Sequence, residues 1–398
     1  MANNNNTKNL NVPNLRFPEF KGEWEDKKLG DVATISSGGT PNRSKLEYWE
    51  GSIPWVSTSL INFNTIYNTE EKITEKGLQY SSAKIYPKDT ILMAMYGQGK
   101  TRGKVAILGI DASINQACAS IQTNQSILNS LFLFQNLSKR YSEIRGLSNQ
   151  GGQENLSGAI IKEIKVSYPS LLEQEKIALF FSFIDQRIKT QIKIIEDLKV
   201  LQNTLIDYYY HHQRYDKNVS LFDCISQTSE RNKKNNAFPV LSVSNKYGFI
   251  QQIEQFENRK VASEDISNYK IVRKNDFAYN PARINVGSIA KLIKYSNGIV
   301  SPMYICFRAK DNFLPDFLEF YFKSKQFKNE VLKRLEGSVR QCLPFEGLCD
   351  IPVVFPPKEK QKDIITQLSA IQTKIEIETT IKELQLKQKQ HLLHQMLI

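Results

Sequence analysis

The segment most suggestive of chemistry is Ala94-Met95-Tyr96-Gly97-Gln98-Gly99-Lys100-Thr101, which nearly matches the phosphate-binding loop of nucleotide-hydrolysing enzymes. Such a loop runs directly into a helix whose N-terminus helps to bind the phosphates. Here the continuation, Arg102 to Gly109, is glycine-punctuated and β-branched, which predicts a second strand. The sequence therefore favours a flexible hairpin loop with three cations, which can lie against a nucleic-acid backbone or enter a groove.

A second candidate segment, Tyr279 to Gly287, stands in the corresponding place later in the chain. Asn280-Pro281 begins like the Asn-Pro-Pro-aromatic motif of amino-methyltransferases, but Ala282 and Arg283 follow, and no glycine-rich cofactor loop precedes it. Arg283 and Asn285 are better suited to reading base edges, because Arg prefers guanine and Asn adenine in the major groove. Tyr96 and Tyr279 could stack on bases or belong to the core.

Two amide-bearing loops recur, Asn149 to Gln153 and Gly337 to Gln341, and each precedes the last strand of its region. They are equally compatible with simple turns and with DNA contacts. The complete set of predicted DNA contacts is Arg43, Lys45, Ser57, Tyr96, Gln98, Lys100, Thr101, Arg102, Lys104, Gln150, Gln153, Ser242, Asn245, Lys246, Tyr279, Asn280, Arg283, Asn285, Arg340 and Gln341.

Constellations typical of catalysis are otherwise missing from the sequence. His391 and His394 share a helix face, but no acidic or Cys third ligand is evident, so we predict no metal site. Glu163-Ile164-Lys165 has a nuclease-like spacing, yet no suitable Pro-Asp pair lies upstream. We expect no catalytic residue and no bound cofactor in this chain.

Composition is that of a globular protein with a polyanionic partner. The 398 residues carry a net charge of +12, and phosphates attract such an excess of Lys and Arg. The five cysteines are widely spaced and form no CxxC pair, which favours a reducing compartment. Without a signal peptide or an apolar stretch long enough to span a bilayer, we predict a cytoplasmic protein that does not bind membranes.

The strongest organisational signal is an internal duplication. Tyr168-Pro169 leads into Glu173-Gln174, and about 187 residues later Phe355-Pro356 leads into Lys360-Gln361. Further pairs at or near this offset are Leu156 with Leu343, Ile164 with Ile351, Val166 with Val353, Ile53–Ser57 with Phe238–Ser242, and Leu29–Asp31 with Leu221–Asp223. A period this long exceeds that of solenoid repeats and predicts a duplicated domain with pseudo-two-fold character.

After each Pro–Gln motif the apolar period changes to alternating steps of three and four, which predicts two long helices with heptad seams. A single helix with such a seam needs a partner to bury it, and each is the obvious partner of the other. Gln191 and Gln202 fill gaps in the first seam. The predicted seam residues are Ile177, Phe181, Ile184, Ile188, Ile195, Leu198, Ile364, Leu368, Ile371, Ile375, Ile381 and Leu384.

The predicted fold class is mixed α/β (α+β), with two similar domains joined by two long antiparallel coiled-coil helices. We call the domains the first head and the second head. The predicted boundaries are a disordered arm over 1–11, the first head over 12–168, a helix over 169–214, the second head over 215–355 and a helix over 356–398.

Several motifs in this order resemble the specificity subunit of a type I restriction–modification enzyme. They are Pro18 to Trp24 followed by Lys28 to Asp31, the Ser36 to Pro41 loop, and the Pro–Gln motif at the start of each helix. The second helix departs from the usual Glu-Gln pair by having Lys360-Gln361. The resemblance covers nearly the whole chain, from about residue 12 onward.

The resemblance implies that each head is a target-recognition domain reading one half of a bipartite double-stranded DNA sequence. The helices would act as a spacer and would dock two modification (methyltransferase) subunits. Those subunits would carry S-adenosylmethionine and methylate adenine. Restriction subunits would add translocation and cleavage with ATP and Mg²⁺. A stand-alone architectural or regulatory DNA-binding protein is the alternative.

Overall fold

The computed structural model describes residues 11–97, 101–147, 155–211, 219–234, 237–252, 265–337, 341–353 and 356–398. The chain divides into two compact units, one formed by Met1–Gln191 with Ile381–Ile398 and the other by Ile192–Thr380. Across the described ranges, no helix combines the length and the apolar character needed to cross a membrane.

The first head is a series of short strands with a few short helices. Its elements are β1 (Glu25–Lys28), α1 (Leu29–Val32), β2 (Ala33–Ser37), β3 (Trp49–Val56), β4 (Thr65–Ile66), β5 (Lys72–Ile73), α2 (Glu75–Gln79), β6 (Ile85–Tyr86), β7 (Ile91–Ala94), β8 (Val105–Leu108), β9 (Ala112–Ile114), β10 (Cys118–Thr123), α3 (Ser130–Lys139), α4 (Tyr141–Gly146), α5 (Gly158–Glu163) and β11 (Lys165–Tyr168).

The described residues of the first head form three sheets, in the orders β1-β11, β2-β10-β7-β8-β4 and β5-β3-β9-β6. Strands β7 and β8 are buried along their whole length and form an antiparallel hairpin at the centre of the five-stranded sheet. Their continuous apolar runs, Ile-Leu-Met-Ala and Val-Ala-Ile-Leu, suit strands covered on both faces. The hairpin is therefore held rigidly by the core of the head.

A helix of 39 residues, α6 (Leu171–Tyr209), follows the first head. Four residues of the predicted seam, Ile177, Phe181, Ile188 and Ile195, are buried along this helix, and the glutamines at positions 191 and 202 are buried with them. Ile184 and Leu198 are half-buried at the remaining seam positions. The strict heptad spacing therefore decides which side chains are buried, whatever their polarity.

The second head is likewise built from short strands and a few short helices. Its elements are β12 (Val219–Ser220), β13 (Ile225–Thr228), β14 (Val240–Ser244), β15 (Gly248–Gln251), β16 (Lys270–Arg273), β17 (Phe277–Tyr279), β18 (Ile289–Lys291), β19 (Asn297–Val300), β20 (Ile305–Ala309), α7 (Pro315–Tyr321), α8 (Lys325–Lys333), α9 (Phe345–Cys349) and β21 (Pro352–Val353). Its sheets have the orders β12-β21, β13-β20-β17-β18 and β15-β14-β19-β16.

The duplication read from the sequence is confirmed in the backbone pairing. The N–H of Leu29 donates to the carbonyl of Ile164 at 2.8 Å, and the N–H of Leu221 donates to that of Ile351 at 2.9 Å. The parallel strand pairs also match, β3 with β9 in the first head and β14 with β19 in the second. Each head is thus built on the same scaffold.

A second helix of 39 residues, α10 (Lys358–Met396), closes the described chain. In each unit the two long helices run antiparallel. In the first unit Lys389 donates to Asp185 at 2.5 Å, and in the second the Gln202 amide donates to Gln372 at 3.1 Å. Of the predicted seam residues in α10, Ile364, Leu368 and Ile375 are buried, and Ile371 and Ile381 are half-buried.

One predicted seam residue is wrong. Leu384 is 59% exposed, and Glu378 and Gln385 are buried instead. Continuing the steps of three and four from Ile375 leads to positions 378, 382 and 385, so the seam stays in register through polar residues. The prediction chose Leu384 because it is apolar, although it lies one residue before the position that continues the seam. A continuous helix cannot shift its buried face by one residue.

Candidate nucleic-acid interface

Each head carries a loop at the tip of its central hairpin. The first hairpin loop spans residues 95–103 and the second spans residues 281–287. The same hydrogen bond closes both loops: the N–H of Ala94 donates to the carbonyl of Lys104 at 2.9 Å, and that of Asn280 donates to Ser288 at 3.1 Å. The loops are therefore equivalent, and the second is two residues shorter.

The last residue of both loops is a glycine in the left-handed region. Gly103 has φ of +81° and Gly287 has φ of +87°. A residue with a side chain is strained in this conformation, so both loops need glycine to return the chain to the second strand. The two heads have kept this backbone requirement while the residues before it differ completely.

A turn formed by Asn62, Phe63 and Asn64 lies against the first hairpin. The N–H of Phe63 donates to the carbonyl of Val105 at 2.8 Å, and the ammonium of Lys104 donates to the amide oxygen of Asn62 at 2.7 Å. Phe63 has φ of +56°, an uncommon and costly conformation for an aromatic residue. This strained turn holds an exposed amide beside the hairpin loop.

Asn62 and Phe63 were not found by sequence reasoning. Two asparagines flanking an aromatic residue favour a turn, and that signal was available. Nothing in the residue types, however, reveals that the turn is pinned to β8 or that it pairs with Lys104.

Two polar residues of the first hairpin loop, Thr101 and Arg102, bond to backbone groups of the head. Arg102 is 6% exposed, and its guanidinium donates to the carbonyl of Arg145 at 3.4 Å. The hydroxyl of Thr101 donates to the carbonyl of Tyr96 at 3.3 Å, while the Tyr96 side chain is 38% exposed. Of the predicted residues described here, Tyr96 and Lys104 present the most useful chemistry to a ligand.

The second hairpin loop lies beside the turn between β14 and β15. A Cβ atom at Gly287 would stand 3.9 Å from the Cβ of Asn245, so the two segments are in contact. Arg283, Asn285, Asn245 and Lys246 are all exposed. The structure thus brings four predicted contact residues onto one surface, which we call the second-head surface.

In each head the segment after the helices returns to the hairpin loop. The N–H of Leu156 donates to the carbonyl of Met95 at 2.9 Å, and the N–H of Leu343 donates to that of Pro281 at 3.1 Å. Leu156 and Leu343 therefore lie beside the hairpin loops, and Gln341, two residues before Leu343, is exposed. Five predicted contacts lie outside the described residues: Gln98, Lys100, Gln150, Gln153 and Arg340.

Four predicted contacts are buried, and we leave them out of the candidate interface. Tyr279 is 0% exposed, its hydroxyl donates to the carbonyl of Leu343 at 3.1 Å, and burial raises the pKa of its phenol. It belongs to strand β17, where it is paired with Ile289, and not to the loop. The others are Arg102, Ser242 (4% exposed) and Asn280 (8% exposed), whose side chain accepts from the N–H of Ala282.

Arg43 and Lys45 belong to a separate cluster in the smaller sheet region of the first head. The guanidinium of Arg43 lies 3.8 Å from the ring centre of Trp49 and forms an ion pair with Glu71. Lys45 donates to the hydroxyl of Tyr48 at 3.1 Å. Ser57 bonds to Ser59 at 2.6 Å at the end of β3. The side chains of these three residues therefore already contact neighbours within the head.

The local structure of the first hairpin loop differs from that of a phosphate-binding loop. The first hairpin loop leads into strand β8 rather than into a helix, so it lacks the helix N-terminus of a phosphate-binding loop. In the described ranges no three or more His, Cys, Asp or Glu residues are grouped so that they could hold a metal ion. Asn280, the start of the methyltransferase-like motif, serves as a turn residue.

Comparison with known proteins gives a consistent result. A family model for the type I restriction modification DNA specificity domain matches residues 21–199 and 223–387. The MjaIX specificity subunit of Methanocaldococcus jannaschii is 31% identical over 249 residues, 60% of this chain and 56% of the relative. The EcoR124I/EcoR124II specificity subunit of Escherichia coli is 30% identical over 169 residues, 41% of each chain. The matches thus span about half the length of these two relatives.

The fold also resembles solved structures. The S subunit of a type I restriction-modification system from M. genitalium has a TM-score of 0.60 at 14% identity, covering 97% of this chain and 99% of that one. A structure determined for the assembly and conformational transition of the type I R-M system has a TM-score of 0.57 at 14% identity, covering 93% and 96%. At this identity the likeness establishes the fold.

Proposed function

This chain belongs to the type I restriction-modification DNA specificity family, and from that membership we propose that it is the sequence-reading subunit of such a complex. Each head would read one half of a bipartite double-stranded DNA target. The observation that carries the proposal is the pair of equivalent hairpin loops. They stand on the same scaffold and are closed by the same hydrogen bond and glycine, yet they differ in length and in every polar side chain. A common scaffold with divergent tips is suited to reading two different sequences.

We assign residues 12–168 and 215–355 to the two target-recognition domains, and 169–214 and 356–398 to the spacer helices. Base reading in the second head would fall to Arg283, Asn285 and Asn245, with Lys246 and Gln341 beside them. In the first head it would fall to Asn62, Tyr96 and Lys104, together with the predicted residues outside the described ranges. Arg and Asn side chains can form paired hydrogen bonds with guanine and adenine edges.

The spacer helices would also dock the methyltransferase subunits. In the first unit, α6 exposes three apolar side chains spaced by seven and four residues, Leu172 (71%), Leu179 (56%) and Phe183 (62%). In the second unit it exposes Ile194, Leu201 and Tyr208 at intervals of seven. Such stripes cost solubility unless a partner covers them. We propose one methyltransferase subunit on each stripe.

The chain itself would be non-catalytic and cytoplasmic. S-adenosylmethionine would be bound by the methyltransferase subunits, which methylate adenine, and ATP and Mg²⁺ by restriction subunits that translocate and cleave DNA. This division is supported by the loop resembling a nucleotide-binding motif, which runs into a strand rather than into a helix.

The deciding experiment is a genome-wide map of adenine methylation in cells with the chain and its methyltransferase, compared with cells lacking only the chain. A split motif that disappears with the chain supports the proposal. A continuous motif would mean that only one head reads DNA. If methylation is unchanged and the methyltransferase does not co-purify with the chain, a stand-alone DNA-binding protein becomes the better account.

A further inference from the structure

Each long helix has the glutamine of its Pro–Gln motif in its first turn. This glutamine is buried at the junction between the helix and its head. Gln174 is 0% exposed and Gln361 is 2% exposed, although both are uncharged polar residues in the first turn of a helix. Buried amides must find partners for an acceptor and two donor hydrogens. In both cases those partners are backbone groups of the head and of the proline just before the helix.

In the first head, the amide oxygen of Gln174 accepts from the N–H of Asn129 at 2.9 Å. Its amide nitrogen donates to the carbonyls of Ile127 at 2.9 Å and Pro169 at 2.8 Å. Asn129 is the residue immediately before α3, so the glutamine joins the start of α6 to the start of the principal helix of the head.

The second head repeats all three bonds. The amide oxygen of Gln361 accepts from the N–H of Leu314 at 3.0 Å. Its nitrogen donates to the carbonyls of Pro356 at 3.1 Å and Asn312 at 3.4 Å. Leu314 likewise immediately precedes α7.

Glutamine is well suited to this position. One side chain serves one donor and two acceptors on two separate segments, and it does so without burying a charge. A carboxylate of the same length would face two carbonyl oxygens, and an apolar side chain would leave three backbone groups without their side-chain partner. The bonds therefore hold the helix at one angle and one height relative to the head.

Resting on the proposed function, we propose that Gln174 and Gln361 are positioning residues that determine how strictly the gap between the two half-sites is measured. Each fixes one head on its own spacer helix. A rigidly fixed head meets its half-site at a single distance along the DNA, so a target with one base pair more or fewer is rejected. A loosened head accepts both.

The two junctions are not equally reinforced. In the first, Glu173 is buried and forms a two-bond ion pair with Arg16, at 2.8 and 2.7 Å. At the equivalent position of the second junction, Lys360 is exposed. Loss of Gln361 should therefore loosen its head more than loss of Gln174 loosens the first.

The test uses the complex of the full chain with its methyltransferase subunits. Gln361→Met and Gln174→Met keep side-chain length and volume but remove the hydrogen bonds. Gln390→Met, on the exposed surface of α10, is the matched control. Methylation rates are measured on DNA with the two half-sites at the native gap and at gaps one base pair shorter and longer.

We expect the ratio of off-gap to native-gap methylation to rise about tenfold in Gln361→Met, equivalent to about 1.4 kcal/mol, less in Gln174→Met, and not at all in Gln390→Met. Poorer folding alone would lower all rates together and leave the ratio unchanged, and melting temperatures measured in parallel separate that effect. An unchanged ratio in Gln361→Met overturns this inference while the proposed function stands. A wild-type complex that methylates no split target overturns the proposed function itself.

Discussion

The two heads share a scaffold but present their polar side chains in opposite ways. Around the first hairpin loop the described cations are already engaged: Lys104 bonds to Asn62, and Arg102 turns inward to the carbonyl of Arg145. On the second-head surface Arg283 and Asn285 are exposed, and neither side chain forms a hydrogen bond with another described residue. The first head therefore presents a prearranged pair, whereas the second presents exposed side chains without such a partner among the described residues.

The difference extends into the core behind the loops. In the second head Lys291 is buried between β18 and α7, where it pairs with Glu319 at 2.8 Å and also with Asp316. The strand and helix registers place Ile107 and Phe134 of the first head at the positions of Lys291 and Glu319, and both are buried. A scaffold can thus exchange an apolar contact for an ion pair without changing its topology, which leaves the loops free to diverge.

The largest expected effect comes from lengthening both spacer helices, because it acts on the two heads together. Four residues inserted after Gln191 and four after Thr380 add about 6 Å and about 40° of rotation. Two base pairs add about 7 Å and rotate in the same sense. We expect methylation to move from the native gap to one about two base pairs longer, read from the methylation map. An unchanged gap would show that the helices do not set the spacing.

The next effect should distinguish the heads from each other. Arg283→Ala removes the side chain best able to read guanine, and we expect a loss of up to about 3 kcal/mol, roughly 150-fold, in methylation of the cognate target. The loss should be confined to one base position in the second half-site, as measured with a library randomised in both half-sites. Equal loss at every position would make Arg283 a backbone contact.

The core difference predicts a selective loss of stability. Lys291→Ile introduces the first-head residue into the second head and leaves Glu319 without one of its two lysines. We expect the second unit to lose about 2 kcal/mol, below the range for a fully buried pair because Glu319 keeps 24% exposure and its bond to Lys323. Hydrogen exchange measured for each unit tests this, with the first unit as internal control. Adding Glu319→Phe should restore part of the loss.

The same ion pair predicts a pH effect of defined sign. Burial by itself would raise the pKa of Glu319, but Lys323 and Lys291 outweigh it, and the net pKa is lowered. A carboxylate with a lowered pKa stabilises the folded state above its unfolded pKa of about 4.3 and loses that contribution as the pH falls through the folded value. In the wild type, the protection of the second unit from hydrogen exchange should therefore decrease once the pH drops below about 4. In Lys291→Ile this acid loss should be smaller.

Some features could be predicted from the sequence because they depend on residue spacing alone. The Leu29–Ile164 and Leu221–Ile351 pairs and the first helix seam follow from repeated apolar periods, and the structure has them. The fold class, with two similar α/β domains and paired long helices, was predictable for the same reason. The pseudo-two-fold relation between the heads stays a prediction.

The surroundings of individual side chains were harder to predict from the sequence. Tyr279 was compared with Tyr96 because both are tyrosines near a loop, yet the strand pairing aligns Tyr279 with Met93, and both of these are buried. Leu384 was assigned to the seam for being apolar. Residue type suggested both assignments, whereas register decides them. Register across strands depends on tertiary pairing, which no local pattern of residues reports.

The smallest expected effect tests the engaged pair of the first head. If Lys104 holds the Asn62 amide in place for base reading, Lys104→Ala and Asn62→Ala should relax the same base position of the first half-site by about 1 kcal/mol each. The double variant should then lose little more binding free energy than either single variant, because each single change already breaks the Lys104–Asn62 pair. If Lys104 instead binds a phosphate, Lys104→Ala should weaken binding to all sequences equally and reduce the salt dependence by about one ion. Arg283→Ala, which lies in the other head, should combine additively with either change and is the control for this double variant.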